Sequence, residues 1–92
     1  MARVRIPTVL RPMVGGATEI EADGSTVGAV LTAVAAEHPG FGPVVFERDG
    51  SLKRYLAVFV GDQDCRHMRG LETRVGVDAE IVLLPAASGG SR

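Results

Sequence analysis

One helical stripe stands among segments that otherwise have the pattern of strands. Apolar residues at i, i+3, i+4 and i+7 indicate one face of a single α-helix: Val27, Val30, Leu31 and Val34. Thr26 is the predicted N-cap. The chain has 92 residues, about enough for one domain. One helix covering a strand-rich sheet predicts a two-layer α+β domain.

The strands are predicted from apolar and polar residues that alternate. Residues 3–6 and 18–22 alternate on either side of a Gly15-Gly16 turn, which predicts an antiparallel hairpin. Its register would place Arg5 opposite Glu19 and Arg3 opposite Glu21. Later strands are predicted at 55–60 and 80–84, with a short return strand at 64–67 and irregular chain around a buried Leu71 at 70–73. The expected sheet is mixed, with about four to five strands and one main helix on one face.

The last predicted strand is apolar on both faces, although a sheet covered by one helix should alternate. If Ile81 and Leu83 point inward with Leu56, Val58 and Val60, four apolar side chains point outward. These are Ala57, Phe59, Val82 and Leu84. An exposed apolar patch usually marks a docking surface. A loop folded over the patch, or a second copy of the chain, would also explain it.

Residues 86–92 have small side chains and no periodicity, which predicts a flexible tail after a domain at residues 1–85. Five residue steps from Pro85 to Gly90 reach roughly 17 Å. Gly89 and Gly90 lack Cβ atoms and fit a narrow channel. A docking patch beside a thin tail suggests that another enzyme acts on the chain end.

Composition excludes several other classes. The net charge of −1 argues against a nucleic-acid partner, and no apolar run is long enough to span a membrane. A lone Cys65 excludes an internal disulfide and suits the cytoplasm. His38, His67 and Cys65 have no spacing typical of a metal site, so neither a metal nor a bound cofactor is expected.

Several segments along nearly the whole domain carry a likeness to a known family: residues 6–12, Gly15-Gly16, 60–66, Gly70-Leu71, 83–86 and Gly89-Gly90. In these segments the chain resembles the ubiquitin-like β-grasp sulfur carriers of the MoaD/ThiS group. Within that group it is most similar to carriers that serve cysteine synthesis.

The resemblance implies a carrier that partner enzymes act on, not an enzyme. An E1-like enzyme would use ATP to adenylate the Gly90 carboxylate, and sulfur would then displace AMP to leave a thiocarboxylate. The tail residues that thread the partner would be Ala86, Ala87, Ser88 and Gly89. A PLP-dependent cysteine synthase would accept the sulfur.

Two features depart from the family pattern. Ser91-Arg92 follows Gly90, so the Gly90 carboxylate is held in a peptide bond. Either these residues are a native extension that a protease removes, such as a JAMM-type zinc peptidase, or they are an artificial addition. Val77-Asp78 stands in a turn where the family often has Asp-Gly-Asp, which affects only loop geometry.

Three other functions stay open at this point. Within the class, the chain could be the small subunit of molybdopterin synthase or supply sulfur to another metabolite. A different class is a ubiquitin-like modifier joined to other proteins through Gly90. The third is an interaction module whose Gly-Gly pair is accidental.

Overall fold

The computed structural model describes residues 1–85. It contains one five-stranded sheet, one long helix, one single-turn helix and three 3₁₀ segments. The strands are β1 (Ala2–Arg5), β2 (Glu19–Ala22), β3 (Leu56–Val60), β4 (Gln63–Asp64) and β5 (Glu80–Pro85). The helices are α1 (Val27–Glu37) and α2 (Gly42–Val45), and the 3₁₀ segments are Thr8–Val14, Cys65–His67 and Gly70–Glu72.

The strand order across the sheet is β2-β1-β5-β3-β4. β1 and β5 run parallel at the centre, and the other neighbouring pairs are antiparallel. The sheet is therefore mixed, as predicted. β5 lies between β1 and β3 and not at the edge of the sheet, so its backbone forms hydrogen bonds to a neighbouring strand on both sides.

Helix α1 begins as the sequence predicts. The Thr26 hydroxyl accepts a hydrogen bond from the backbone N–H of Ala29 at 3.1 Å, which satisfies one of the free donors of the first turn. All four residues of the predicted stripe are buried. The helix ends before Pro39, with His38 as its C-cap.

The core lies between the inner face of the sheet and α1. Both central strands contribute alternate residues to it, and Phe41, between the two helices, is fully buried. The largest fully buried side chains are Phe41, Ile6, Leu31, Leu56, Ile81, Leu83, Val4, Val27, Val30, Val34, Val45 and Val58. Every one of them is aliphatic or aromatic, so hydrophobic burial dominates the stability of this layer.

Two connections differ from the sequence prediction. Residues 65–67 form a 3₁₀ turn and not a continued return strand, because the Asp64 carboxylate accepts the backbone N–H of Arg66 at 2.9 Å and starts a turn. Leu71 is only half-buried, while Thr73 is buried and its hydroxyl accepts the Arg69 N–H at 3.0 Å. Side-chain to backbone bonds of this kind are not visible in hydrophobic periodicity.

The predicted hairpin register is confirmed, but the charged residues that lie opposite one another do not form the ion pairs. Arg5 faces Glu19 and Arg3 faces Glu21 along the backbone. The side chains instead pair diagonally: Arg3 with Glu19 at 3.5 Å, and Arg5 with Glu80 of β5 at 3.3 Å. Arg5 lies between β2 and β5, and its side chain turns to the carboxylate on β5.

A charge-exchange experiment distinguishes these pairs. Arg5→Glu combined with Glu80→Arg is expected to recover most of the stability lost in either single variant, with a coupling of about 0–1 kcal/mol because the pair is solvent-exposed. Arg5→Glu combined with Glu19→Arg is the control and should recover little. Equal recovery in both double variants, measured by urea unfolding, would contradict the diagonal pairing.

The tail predicted at 86–92 lies outside the described residues. Within residues 1–85, no helix has the length and apolar character needed to cross a membrane.

Candidate functional site

The outward-facing apolar residues of β3 and β5 lie directly opposite one another. Ala57 pairs with Leu84, and Phe59 pairs with Val82. Side chains at directly opposed positions of an antiparallel pair lie about 5 Å apart, so the four form one continuous surface. We call Ala57, Phe59, Val82 and Leu84 the outer strip. Leu84 is 45% exposed and the other three are half-buried.

The inward-facing partners on the same strands show that the predicted alternation is right. Leu56, Val58, Ile81 and Leu83 are all at most 2% exposed. Val60, also expected inside, is half-buried at the end of β3. Because the core already uses one face of each strand, the apolar residues on the other face have no packing role beneath α1.

The border of the outer strip toward β1 is basic. Arg5 lies opposite Val82 on the adjacent strand. Arg11 lines a shallow groove together with Val82 and Leu84, and its Nε donates to the Ile6 carbonyl at 3.1 Å. That hydrogen bond fixes the direction of the guanidinium. Arg11 was not predicted as part of this surface, because no periodic pattern in the sequence places residues 8–14 beside β5.

The border toward β4 carries carboxylates. Phe59 lines a second groove with Asp62, Asp64, His67 and Met68. Asp64 is occupied as the cap of the following turn, whereas Asp62 is exposed in the turn between β3 and β4. The outer strip is therefore flanked by opposite charges on its two sides.

The start of β3 is held by a residue from the 3₁₀ segment that follows its neighbour β4. The Arg66 guanidinium donates to the Leu56 carbonyl at 2.8 Å and to the Lys53 carbonyl at 2.7 Å. Leu56 lies opposite Pro85, the last described residue of β5. Arg66 thus stabilises the backbone beside the point where the chain leaves the sheet.

The residues predicted to react or to thread lie outside the described residues. They are Ala86, Ala87, Ser88, Gly89 and Gly90. The structure shows the residue that precedes them: Pro85 is the last residue of the central strand β5 and directly follows Leu84 of the outer strip.

Within residues 1–85, no group of three or more histidine, cysteine or acidic side chains could hold a metal ion. Cys65 is fully buried. Burial raises the pKa of its thiol above the ordinary value, and the neighbouring Asp64 carboxylate acts in the same direction. A thiol held protonated is a weak nucleophile, so the described residues offer no activated cysteine.

Cys65 labelling checks this account. Since Cys65 is the only cysteine, iodoacetamide should react on the order of a hundredfold more slowly with the folded protein than with the urea-unfolded chain at pH 8. The pKa of the Cys65 thiol is higher in the folded protein than in the unfolded chain. The buried protonated thiol therefore contributes its full stabilisation below the unfolded pKa, and this stabilisation is lost as the pH rises through the folded pKa. Comparable labelling rates in the two states would show an accessible thiolate.

Comparison with known proteins shows which protein family has this sequence and fold. The ThiS family model matches residues 4–90. Sulfur carrier protein CysO of Mycobacterium tuberculosis is 36% identical over 89 residues, which cover 95% of this chain and 96% of the relative. A putative sulfur carrier protein of Archaeoglobus fulgidus is 28% identical over 88 residues, covering 96% and 97%.

Solved structures give the same result. The Amycolatopsis orientalis BexX/CysO complex contains a chain that matches with a TM-score of 0.90 and 36% identity over 98% of this chain and all of that one. Small archaeal modifier protein 1 of Methanosarcina acetivorans matches with a TM-score of 0.84 and 28% identity, covering 97% and 95%.

The sheet order, the single long helix across one face and these likenesses define the class as ubiquitin-like β-grasp sulfur carriers. The chain belongs to the ThiS family. The predictions of a β-grasp fold and of a carrier that is not itself an enzyme are thereby confirmed.

Proposed function

We propose that this sulfur carrier supplies sulfur for cysteine biosynthesis through a thiocarboxylate at Gly90. The observation that carries the proposal is the 36% identity to CysO over 95% of the chain, together with a family match that ends at Gly90. A carrier of this kind needs a reactive end and a docking surface. The outer strip, which lies next to Pro85, is the proposed docking surface.

The proposed loading occurs in two steps. A Gly90 carboxylate oxygen attacks the α-phosphate of ATP and releases pyrophosphate, which turns a poor electrophile into an acyl adenylate. A sulfide-level nucleophile then attacks the carbonyl carbon and expels AMP, leaving the thiocarboxylate. ATP is bound by the E1-like activating enzyme and not by the carrier. The proposed location is the cytoplasm, whose reducing conditions suit a sequence with a single cysteine.

The outer strip is the proposed contact for the activating enzyme. Apolar surface buried at an interface gives binding energy, while Ala86, Ala87, Ser88 and Gly89 would thread toward the partner's active site. The BexX/CysO complex supports the idea that carriers of this fold dock on partner proteins. In the proposed pathway the sulfur acceptor is a PLP-dependent cysteine synthase.

Ser91-Arg92 would have to be removed before loading, because adenylation needs a free carboxylate at Gly90. The family match stops at Gly90 and leaves these two residues outside it. A JAMM-type zinc peptidase is the proposed trimming enzyme if they are native.

The intact mass of the carrier purified from its own cells tests the proposal. The expected species ends at Gly90 and is heavier than the free acid by one oxygen-to-sulfur exchange. Growth without a cysteine source should increase its share. An end that stays unmodified under every sulfur condition would favour a plain interaction module instead.

A second candidate function is conjugation to proteins through Gly90. The likeness to small archaeal modifier protein 1 favours it. Bands of high molecular weight that react with an antibody to this chain, and that disappear when Gly90 is deleted, would support it. Co-purification with a large catalytic subunit would point instead to molybdopterin synthase.

A further inference from the structure

The unlike charges on the two sides of the outer strip, Arg11 and Asp62, also lie at opposite ends of it. Arg11 lies beside Leu84, at the end from which the tail leaves, whereas Asp62 follows β3 at the opposite end, past Phe59. The run from Ala57 to Val60 alone covers about 10 Å along the strand. This exceeds the Debye length of about 8 Å at physiological ionic strength, so the two charges do not neutralise each other.

These two charges are also available to a partner. Within residues 1–85, Arg3, Arg5 and Lys53 each lie against a carboxylate, but neither Arg11 nor Asp62 takes part in an ion pair. The Arg11 Nε is held by the Ile6 carbonyl. The fold thus orients the half-buried Arg11, Asp62 is exposed, and neither charge is paired within the described domain.

The apolar residues alone do not set an orientation. Hydrophobic contact is non-directional, and the outer strip consists of two facing pairs that a half-turn exchanges. A partner rotated by that half-turn would still meet apolar side chains at both ends of the strip, but would direct its tail channel away from Pro85. Charges at the two ends distinguish the two orientations more sharply than apolar contact does.

We infer that the activating enzyme covers the outer strip with a bipolar surface, with carboxylates facing Arg11 and lysine or arginine facing Asp62. In the productive orientation each end meets the opposite charge. In the rotated orientation each end meets its own sign, which is unfavourable and suppresses wrong docking. The polarity thereby directs the tail into the channel. This inference rests on the proposed function, since it concerns the enzyme that loads Gly90.

Association kinetics test the polarity with the E1-like enzyme that loads the wild-type chain ending at Gly90. Arg11→Glu and Asp62→Lys are each expected to lower the association rate constant about five- to tenfold in low salt, and less in high salt. Arg48→Glu and Glu37→Lys are the matched controls, because both residues are exposed, lie away from the strip and give the same changes of net charge. They should stay within about twofold of wild type.

The Arg11→Lys variant distinguishes the effect of the positive charge from the effect of the hydrogen bond to Ile6. It keeps the cation but removes the guanidinium that bonds to Ile6, so it should associate nearly as fast as wild type while Arg11→Glu does not. Equal slowing by Arg11→Glu and Arg48→Glu would overturn the inference, as would faster association of Asp62→Lys, which indicates a uniformly acidic partner. If no E1-like enzyme loads the wild-type chain, the proposed function fails instead.

Discussion

A chain that ends at Gly89 is expected to accept no sulfur, whereas a chain that ends at Gly90 is loaded. In the proposed loading step the activating enzyme brings a carboxylate to the α-phosphate of ATP, and removing one residue would withdraw that carboxylate by roughly 3.5 Å. Small misplacements of a reacting group already cost about a hundredfold in rate. Thiocarboxylate formation, measured by intact mass after incubation with ATP, sulfide donor and activating enzyme, should therefore be abolished.

Three chains make this comparison complete: one ending at Arg92, one at Gly90 and one at Gly89. All three should melt at the same temperature, because the truncations lie beyond Pro85, the last residue of β5. The chain ending at Arg92 should be loaded only when a trimming peptidase is present. Normal loading at Gly89 would show that the position of the terminal carboxylate is not decisive, and the assignment to Gly90 would fall.

Leu84→Asp is expected to weaken binding to the activating enzyme by about 2 kcal/mol or more, roughly 30-fold in Kd, with little loss of stability. Leu84 is 45% exposed and projects from the outer strip. An aspartate there puts a charge where the partner's apolar surface would exclude water. Phe59→Ala should act in the same direction, because truncation removes the only aromatic side chain of the strip.

The neighbouring residue provides a matched control. Leu83 lies one position earlier on the same strand but faces the core, with 1% exposure. Leu83→Ala should cost about 2–5 kcal/mol of folding stability and change the affinity of the folded fraction little. Calorimetric titration beside a thermal melt separates the effects. If Leu84→Asp and Phe59→Ala lower the melting temperature as far as Leu83→Ala does, these side chains stabilise the chain itself and do not form a docking surface.

Much of the fold could be predicted because its strongest signals are periodic. Alternation on β3 and β5 assigned Leu83 and Leu84 to opposite faces, and the helical stripe placed α1 with its Thr26 cap. Opposed charges gave the correct register of β1 and β2. Each of these depends on neighbours in sequence or on one pair of strands.

The features that were missed depend on contacts between distant segments. The pairing of Arg5 with Glu80 requires the parallel neighbour β5, which no local pattern shows to lie beside β1. Arg11 reaches the outer strip only because the 3₁₀ segment Thr8–Val14 folds at that end of the sheet. The reactive end at Gly90 followed from the resemblance to a family, and it remains a prediction.

The central position of β5 has a mechanical consequence. A pull on the chain beyond Pro85 is transmitted into a strand that is hydrogen-bonded on one side to β1 and on the other to β3. Tension along β5 loads both ladders in shear, so many hydrogen bonds have to break together, whereas peeling an edge strand would break them singly. A partner enzyme that bound the end of the chain, as proposed, would therefore act on a rigidly anchored strand, and the domain would keep its shape while the chain end is bound and released.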